Sequence, residues 1–153
     1  MVLLCLFLGW AIYGDLKKGK ISNYLISGFA LTAFCLGYVN FGIRGVTNSV
    51  FGMLIGGLPL FIPYIIGGFL RKPLMGAGDV KLMAAIGVFV GPFGVFWSMY
   101  YGFLIAGIIA FSIVIINLIR KKPIPRTIPL GAMLSTGTAL ALFFKGNLFM
   151  PQL

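Results

Sequence analysis

The sequence predicts an all-α fold: a polytopic membrane helix bundle of about six transmembrane helices, with both termini outside. Three observations predict it. Hydrophobic residues fill 60% of the 153 positions and the mean hydropathy is +1.08. Charged residues make up only 9%, far below a soluble domain. The basic residues fall in short clusters between long apolar runs. A soluble fold of this size would have to hide that apolar excess in one small core, with too little charge left to keep its surface dispersed. One membrane domain over residues 1–153 is therefore expected.

The crossings are expected at Met1 to Gly14, Tyr24 to Val39 and Val50 to Leu70, with the sixth from about Pro129 to Phe144. Between Lys81 and Arg120 runs an uncharged stretch. As one helix it would measure ~57 Å, nearly twice a ~30 Å hydrocarbon core, so it folds back into a fourth and a fifth crossing. Gly91, Pro92, Phe93 and Gly94 are the expected turn. The first crossing lacks a basic flank and a small-residue cleavage site, so it reads as a retained helix rather than a secretory signal. The fourth is barely long enough to cross, which places its start below the lipid surface, within the bundle.

Twelve Lys and Arg stand against two acidic residues, for a net charge of +10. In a soluble protein that balance would suggest nucleic acid; between apolar runs it suggests orientation and contact with anionic membrane lipid, with no nucleic-acid partner. Lys17, Lys18, Lys20, Arg71, Lys72, Lys81, Arg120, Lys121, Lys122 and Arg126 fall on one side, and only Arg44 and Lys145 on the other. By the positive-inside rule the first group is cytoplasmic, in a multi-pass protein of the cytoplasmic (inner) membrane.

Cys5 and Cys35 lie within apolar runs and are expected as small packing residues. Without His they cannot form a usual four-ligand zinc site, so neither metal nor cofactor is expected. Gly52 with Gly56, and Gly87 with Gly91, have the spacing that lets helix backbones approach closely in lipid. Pro59 and Pro63 are expected to interrupt and bend the third crossing.

Asp15 and Asp79 are the only acids, each at the cytoplasmic boundary of an expected crossing. If their helices are neighbours, both carboxyls meet at one depth. For Asp79 a structural role competes, since an Asp before Val80, Lys81, Leu82 and Met83 makes a good helix N-cap. Asp15 ends a helix, where negative charge opposes the dipole, so capping does not account for it. Lys18, one turn on, could pair with it, for only ~0.3 to 0.5 kcal/mol if the pair is exposed. Two apposed carboxyls in a poorly hydrated site share a proton and can divide the roles of acid and base between them. The absence of His excludes Ser-His, Cys-His and His-Glu-x-x-His protease chemistry, so a protease here would have to use the acids.

Gly76, Ala77, Gly78 and Asp79 resemble the Gly-x-Gly-Asp motif of membrane aspartyl proteases, and Val80, Lys81 and Leu82 continue it as in type IV prepilin peptidases and archaeal preflagellin peptidases. Asp15, the basic stretch Lys17 to Lys20, and Ile21, Ser22 and Asn23 resemble that family's first catalytic Asp and the Ile-Pro-Asn or Ile-Pro-Asp that follows it. Ile128, Pro129, Leu130 and Gly131 resemble the opening of its last span. The likeness runs over essentially the whole chain, with Ser22 and Ala132 standing where the family often has Pro. Larger bacterial members carry a methyltransferase segment with zinc-binding cysteines; no counterpart is found in these 153 residues.

The resemblance implies a single transmembrane peptidase domain, a hydrolase with Asp15 and Asp79 catalytic and without a cofactor. Its expected substrate is a prepilin-like or preflagellin-like protein of the type IV pilus or secretion kind, with a basic leader before a hydrophobic helix. Gly76 and Gly78 suggest a movable active-site loop that shortens the Asp15 to Asp79 distance when substrate binds. Ser22 and Asn23 are expected as caps of the second helix and Lys81 as reaching toward lipid headgroups, with Lys18, Asn23 and Lys81 the alternative candidates to support the pair.

Two other classes stay open. A small proton- or ion-coupled transporter could use the same acids, and the shared pattern Gly-Asp-apolar-Lys at Gly14 to Lys17 and Gly78 to Lys81 would then be a trace of repeated halves. A non-catalytic assembly subunit would make both acids dispensable.

Overall fold

A computed structural model of the protein describes residues 2–18, 23–70, 75–120 and 130–145. Among these residues the chain is all helical: α1 (Val2–Lys18), α2 (Asn23–Phe69), α3 (Ala77–Ile119) and α4 (Leu130–Lys145). Each of the two long helices is broken by one glycine, Gly42 in α2 and Gly91 in α3, with φ of 58° and 75° and non-helical ψ. That backbone region is essentially reserved for glycine, so the breaks are written in residue type.

Both breaks are reversals. A Cβ on Gly45 would run into the Gly37 carbonyl, although residues 37 and 45 of a straight helix would stand roughly 12 Å apart. Likewise a Cβ on Gly56 would come within 2.5 Å of the Met83 carbonyl oxygen and 2.8 Å of Val95 Cγ2, so the two halves of α3 lie alongside each other against α2. The expected turn at Gly91 is thus tight, with Pro92 next in the chain, where a missing N–H is tolerated at the start of a helical turn.

Three expectations about the crossings need correction. Residues 40–49, expected as a connection, are helical apart from Gly42. Their polar side chains bond back to the preceding turn, Asn40 Nδ2 to the Leu36 carbonyl and Thr47 Oγ1 to the Arg44 carbonyl, and so do not compete with the helix. Pro59 and Pro63 do not interrupt α2, in which only Gly42 leaves helical geometry. Cys5 and Cys35 are exposed rather than packed, because the outside of this bundle is itself apolar. The basic residues Lys20, Arg71, Lys72, Lys121, Lys122 and Arg126, together with Ser22 and Ile128, lie outside the described residues.

Helix α2 packs on α3, α3 on α4, and α4 on α1. The core is built from Leu4, Leu8 and Ala11 of α1, Leu82, Met83 and Ile86 of α3, and Leu134 and Ala141 of α4, all nearly inaccessible. Phe7 stacks on Phe29 at 3.8 Å between ring centroids, which joins α1 to the start of α2. Glycines make the closest contacts: a Cβ on Gly52 would strike the Gly87 carbonyl, and one on Gly137 would strike the Gly102 backbone. The hydroxyls of Ser98, Ser135 and Thr138 are buried but donate to carbonyls four residues earlier in their own helices, which removes the cost of leaving them unpaired.

Outside, the bundle is lined with large apolar side chains, including Phe111, Leu118 and Ile119 at 68%, 76% and 75% exposure. Helices α2 and α3 are both long and apolar enough to cross a membrane. Residues 77–90 make a helical segment of only roughly 21 Å, against roughly 42 Å for residues 92–119. The start of α3 therefore stops well short of the end of its partner half.

Candidate active site

The end of the bundle where α1 finishes and α2, α3 and α4 begin carries the polar side chains of interest. On α1, the buried residues Leu4, Leu8 and Ala11 fall at helical spacing, and Asp15 takes the next place on that stripe. On α3, Asp79 precedes Leu82, Met83, Ile86 and Val90 on the buried face in the same way. Each acid thus continues the inward face of its helix. Asp15 is 9% exposed, and Asp79 is half-buried.

Both carboxyls converge on α4. The Ala132 backbone N–H donates to Asp15 Oδ2 at 2.7 Å. Ala132 is in the first turn of α4, where backbone N–H groups have no partner within the helix, so Asp15 caps from a distant helix a group that would otherwise be orphaned. Next to it, the place a Gly131 Cβ would occupy is 3.0 Å from Asp15 Oδ2 and 3.0 Å from Asp79 Oδ1. Two atoms on one such sphere are at most about 6 Å apart, within the range where charges act strongly on each other. Gly131 is the gap in which the two acids meet.

Asp79 is held from below by its own turn. Its backbone N–H donates to the Gly76 carbonyl at 3.1 Å, and a Cβ on Gly76 would lie 3.1 Å from Asp79 Oδ2. The N-cap of α3 is Gly76, not Asp79, because the helix begins at Ala77, three residues earlier than expected. Gly76 is extended (φ −77°) and Gly78 sits in the first turn of α3 rather than in a loop; neither occupies the left-handed region. The open space beside Gly78 contrasts with the tight fit at Gly76.

Lys81 and Asn23 come together, with Lys81 Nζ donating to Asn23 Oδ1 at 3.1 Å, which ties the start of α2 to the first turns of α3. The Lys18 side chain lies outside the described residues. In the sequence Gly131 belongs to the segment that resembles the opening of the last span and Ala132 stands where the family often has Pro, and neither is a candidate for the site on that ground. The signal that would have found them is their position at the N-terminus of a helix that starts on the same side as both acids.

Chemically, the arrangement is a pair of carboxyls at one end of an apolar bundle, one hydrogen-bonded to backbone and both bordering the place a Gly131 side chain would fill. Such a pair can accept one proton and donate another across a single water or carbonyl group. The family model of the type IV leader peptidase family matches residues 2–115, about three quarters of the chain. The protein belongs to the type IV leader peptidase family. The matched region of this family includes both acids and ends before Gly131. No curated protein and no solved structure matches the chain.

Proposed function

We propose that this leader peptidase family member is an aspartic endopeptidase of the cytoplasmic (inner) membrane, with Asp15 and Asp79 as its catalytic acids. Its substrate would be a prepilin-like or preflagellin-like protein, cut between a basic leader and a hydrophobic helix at the cytoplasmic face. The observation that carries the mechanism is that the place a Gly131 Cβ would occupy is 3.0 Å from an oxygen of each carboxyl. The apolar outer surface and the two long apolar helices support a membrane bundle of about six crossings with this end inside.

Two carboxyls this close can divide the work of base and acid, one ionised and one protonated. The ionised one takes a proton from water as its oxygen bonds to the scissile carbonyl carbon, while the protonated one hydrogen-bonds and then protonates the carbonyl oxygen. The resulting tetrahedral intermediate collapses: its C–N bond breaks, the amine leaves with a proton from the pair, one hydroxyl of the intermediate returns a proton to the pair, and the leader's new carboxylic acid ionises to solvent. The pair returns to its starting state, one carboxyl ionised and one protonated.

The chain's positive charge repels a basic leader, so recognition would rest on the apolar helix of the substrate and on local backbone. Neither the fold nor the family match supports a transporter built on the same acids. The deciding experiment incubates purified protein in detergent with a prepilin-like substrate and compares wild type with Asp15→Asn and Asp79→Asn. Cleavage by wild type and loss in each variant is the expected result; activity surviving in either variant overturns the mechanism.

A further inference from the structure

On the far side of α3 from the acids lies a groove of about 420 Å³, which is in the size range of small-molecule sites. It is lined by Ser27 and Ala30 of α2, Ala84, Ala85 and Val88 of α3, and Met53 from the second half of α2. Small residues at helical spacing on both walls leave the trough between them. Ser27 and Met53 are exposed, so the groove opens on the outside of the bundle.

The groove has one polar end. There Lys81 and Asn23 form their hydrogen bond, and beyond it the lining is apolar apart from Ser27, whose hydroxyl is spent on the Tyr24 carbonyl. An ammonium carries three N–H donors and Asn23 accepts one, which leaves Lys81 able to hold an anion. Tyr24, 89% exposed beside this end, is the kind of residue that sits at headgroup level.

The direction of the groove decides against the substrate as its occupant. Lys81 and Asp79 are two residues apart on α3, roughly 200° around the helix, so Lys81 and the groove lie behind the wall that Asp79 faces across. A peptide seated here would not present a bond to the carboxyl pair.

We propose that the groove is a binding site for one acyl chain of an anionic phospholipid, whose phosphate is held by Lys81. An apolar trough ending in a cation matches a chain ending in an anionic head, and Lys81 belongs to the basic end of the molecule, where anionic headgroups concentrate. The lipid thereby packs against the first turns of the helix that carries Asp79. The inference rests on the membrane reading above but not on the peptidase chemistry.

The test counts lipid rather than product. Protein extracted from membranes is delipidated in detergent, exposed to phosphatidylglycerol or phosphatidylcholine, and examined by native mass spectrometry. One retained phosphatidylglycerol and little phosphatidylcholine are expected. Lys81→Gln, an exposed change that leaves packing intact, should weaken retention about tenfold, the worth of one charge-assisted hydrogen bond. Ser27→Leu with Ala30→Leu should fill the groove and abolish retention, while Arg120→Gln, a basic residue away from the groove, should change nothing. Equal retention of both lipids, an equal loss with Arg120→Gln, or lipid kept by the filled groove each overturns the proposal. So does a filled groove that raises KM for the substrate without altering lipid retention, which would assign the groove to the substrate helix. Loss of peptidase activity alone leaves the lipid result standing, whereas protein recovered only in the soluble fraction overturns this proposal and the membrane reading together.

Discussion

The Asp15 carboxylate accepts the Ala132 backbone N–H at 2.7 Å, so the last turn of α1 is docked on the first turn of α4. This contact gives Asp15 a structural duty alongside its proposed chemical one. The two duties separate on substitution. Asn keeps an acceptor oxygen for Ala132 but cannot exchange a proton as a carboxyl does. Asp15→Asn should therefore fold, with a thermal midpoint in detergent near wild type, and lose at least ~10²-fold in cleavage rate. Asp15→Ala should lose both, costing a further ~1 to 3 kcal/mol from the unpaired N–H. A gel assay with a melting curve on each variant checks the split.

Among the described residues Asp79 makes no such bond to another helix; its backbone N–H donates to the Gly76 carbonyl, and its carboxyl lies between Gly76 and Gly131. Asp79→Asn should accordingly leave stability within ~0.5 kcal/mol of wild type while abolishing cleavage. Combined with Asp15→Asn, it should cost no more activity than either change alone, because members of a catalytic unit are not additive. A double variant much slower than both singles would show independent roles.

Much of this site is legible in the chain, for a physical reason. Asp15 and Asp79 are the only acids and each stands at the end of an apolar run, so both can be placed at one end of the bundle before any tertiary contact is known, whereas the inward stripe of Leu4, Leu8, Ala11 and Asp15 does not show in a helix that is apolar nearly all round. The small-residue spacing of Gly52, Gly56, Gly87 and Gly91 likewise anticipates the backbone contacts between α2 and α3. What is hidden depends on partners distant in the chain. Nothing local to Asp15 shows that its acceptor role is to Ala132, and nothing local to Cys5 or Cys35 shows which apolar face points outward. Gly76 and Gly78 suggest a loop and so a helix start near Val80, whereas α3 begins at Ala77, and Gly78 is helical and costs that helix only its propensity.

Gly131 tests whether the two acids must meet where they do. A Cβ there would stand 3.0 Å from an oxygen of each carboxyl, closer than side chains normally approach. Gly131→Ala should drive the carboxyls apart and lower kcat by about 10²-fold, the usual cost of misplacing reacting groups by an ångström. Gly78→Ala is its control, because among the described residues nothing lies within 4 Å of the added methyl. It should keep cleavage and raise helix stability by ~0.5 to 1 kcal/mol. Should Gly78→Ala abolish cleavage while raising the melting temperature, motion of this turn would be required for activity.

The reversals at Gly42 and Gly91 make a prediction about folding alone. Both have backbone angles that side chains rarely adopt, so Ala at either position should cost about 1 to 3 kcal/mol. Gly91→Ala should be the worse of the two, since its Cβ would also lie 3.1 Å from Asn48 Nδ2, while no described residue comes within 4 Å of a Cβ on Gly42. Gly9→Ala, in mid-helix with open space around it, should be neutral or stabilising. Unfolding of the three variants in detergent ranks them, and an equal effect at all three would mean that the breaks are not fixed by glycine.

The pH dependence of cleavage follows from the pair holding one proton. At low pH both carboxyls are protonated and no base remains to activate water; at high pH both are ionised and no acid remains to protonate the carbonyl oxygen or the leaving amine. kcat/KM should therefore be bell-shaped, with two apparent pKa values that belong to the pair rather than to either residue. The acid and alkaline limbs should move together when Gly131→Ala widens the pair, because weaker coupling brings the two values closer and narrows the bell. A substrate whose leader lacks basic residues serves as the control, since a limb that belonged to binding rather than chemistry would shift with it. A profile that rises through a single limb to a plateau would mean that only one of the two carboxyls takes part in proton transfer.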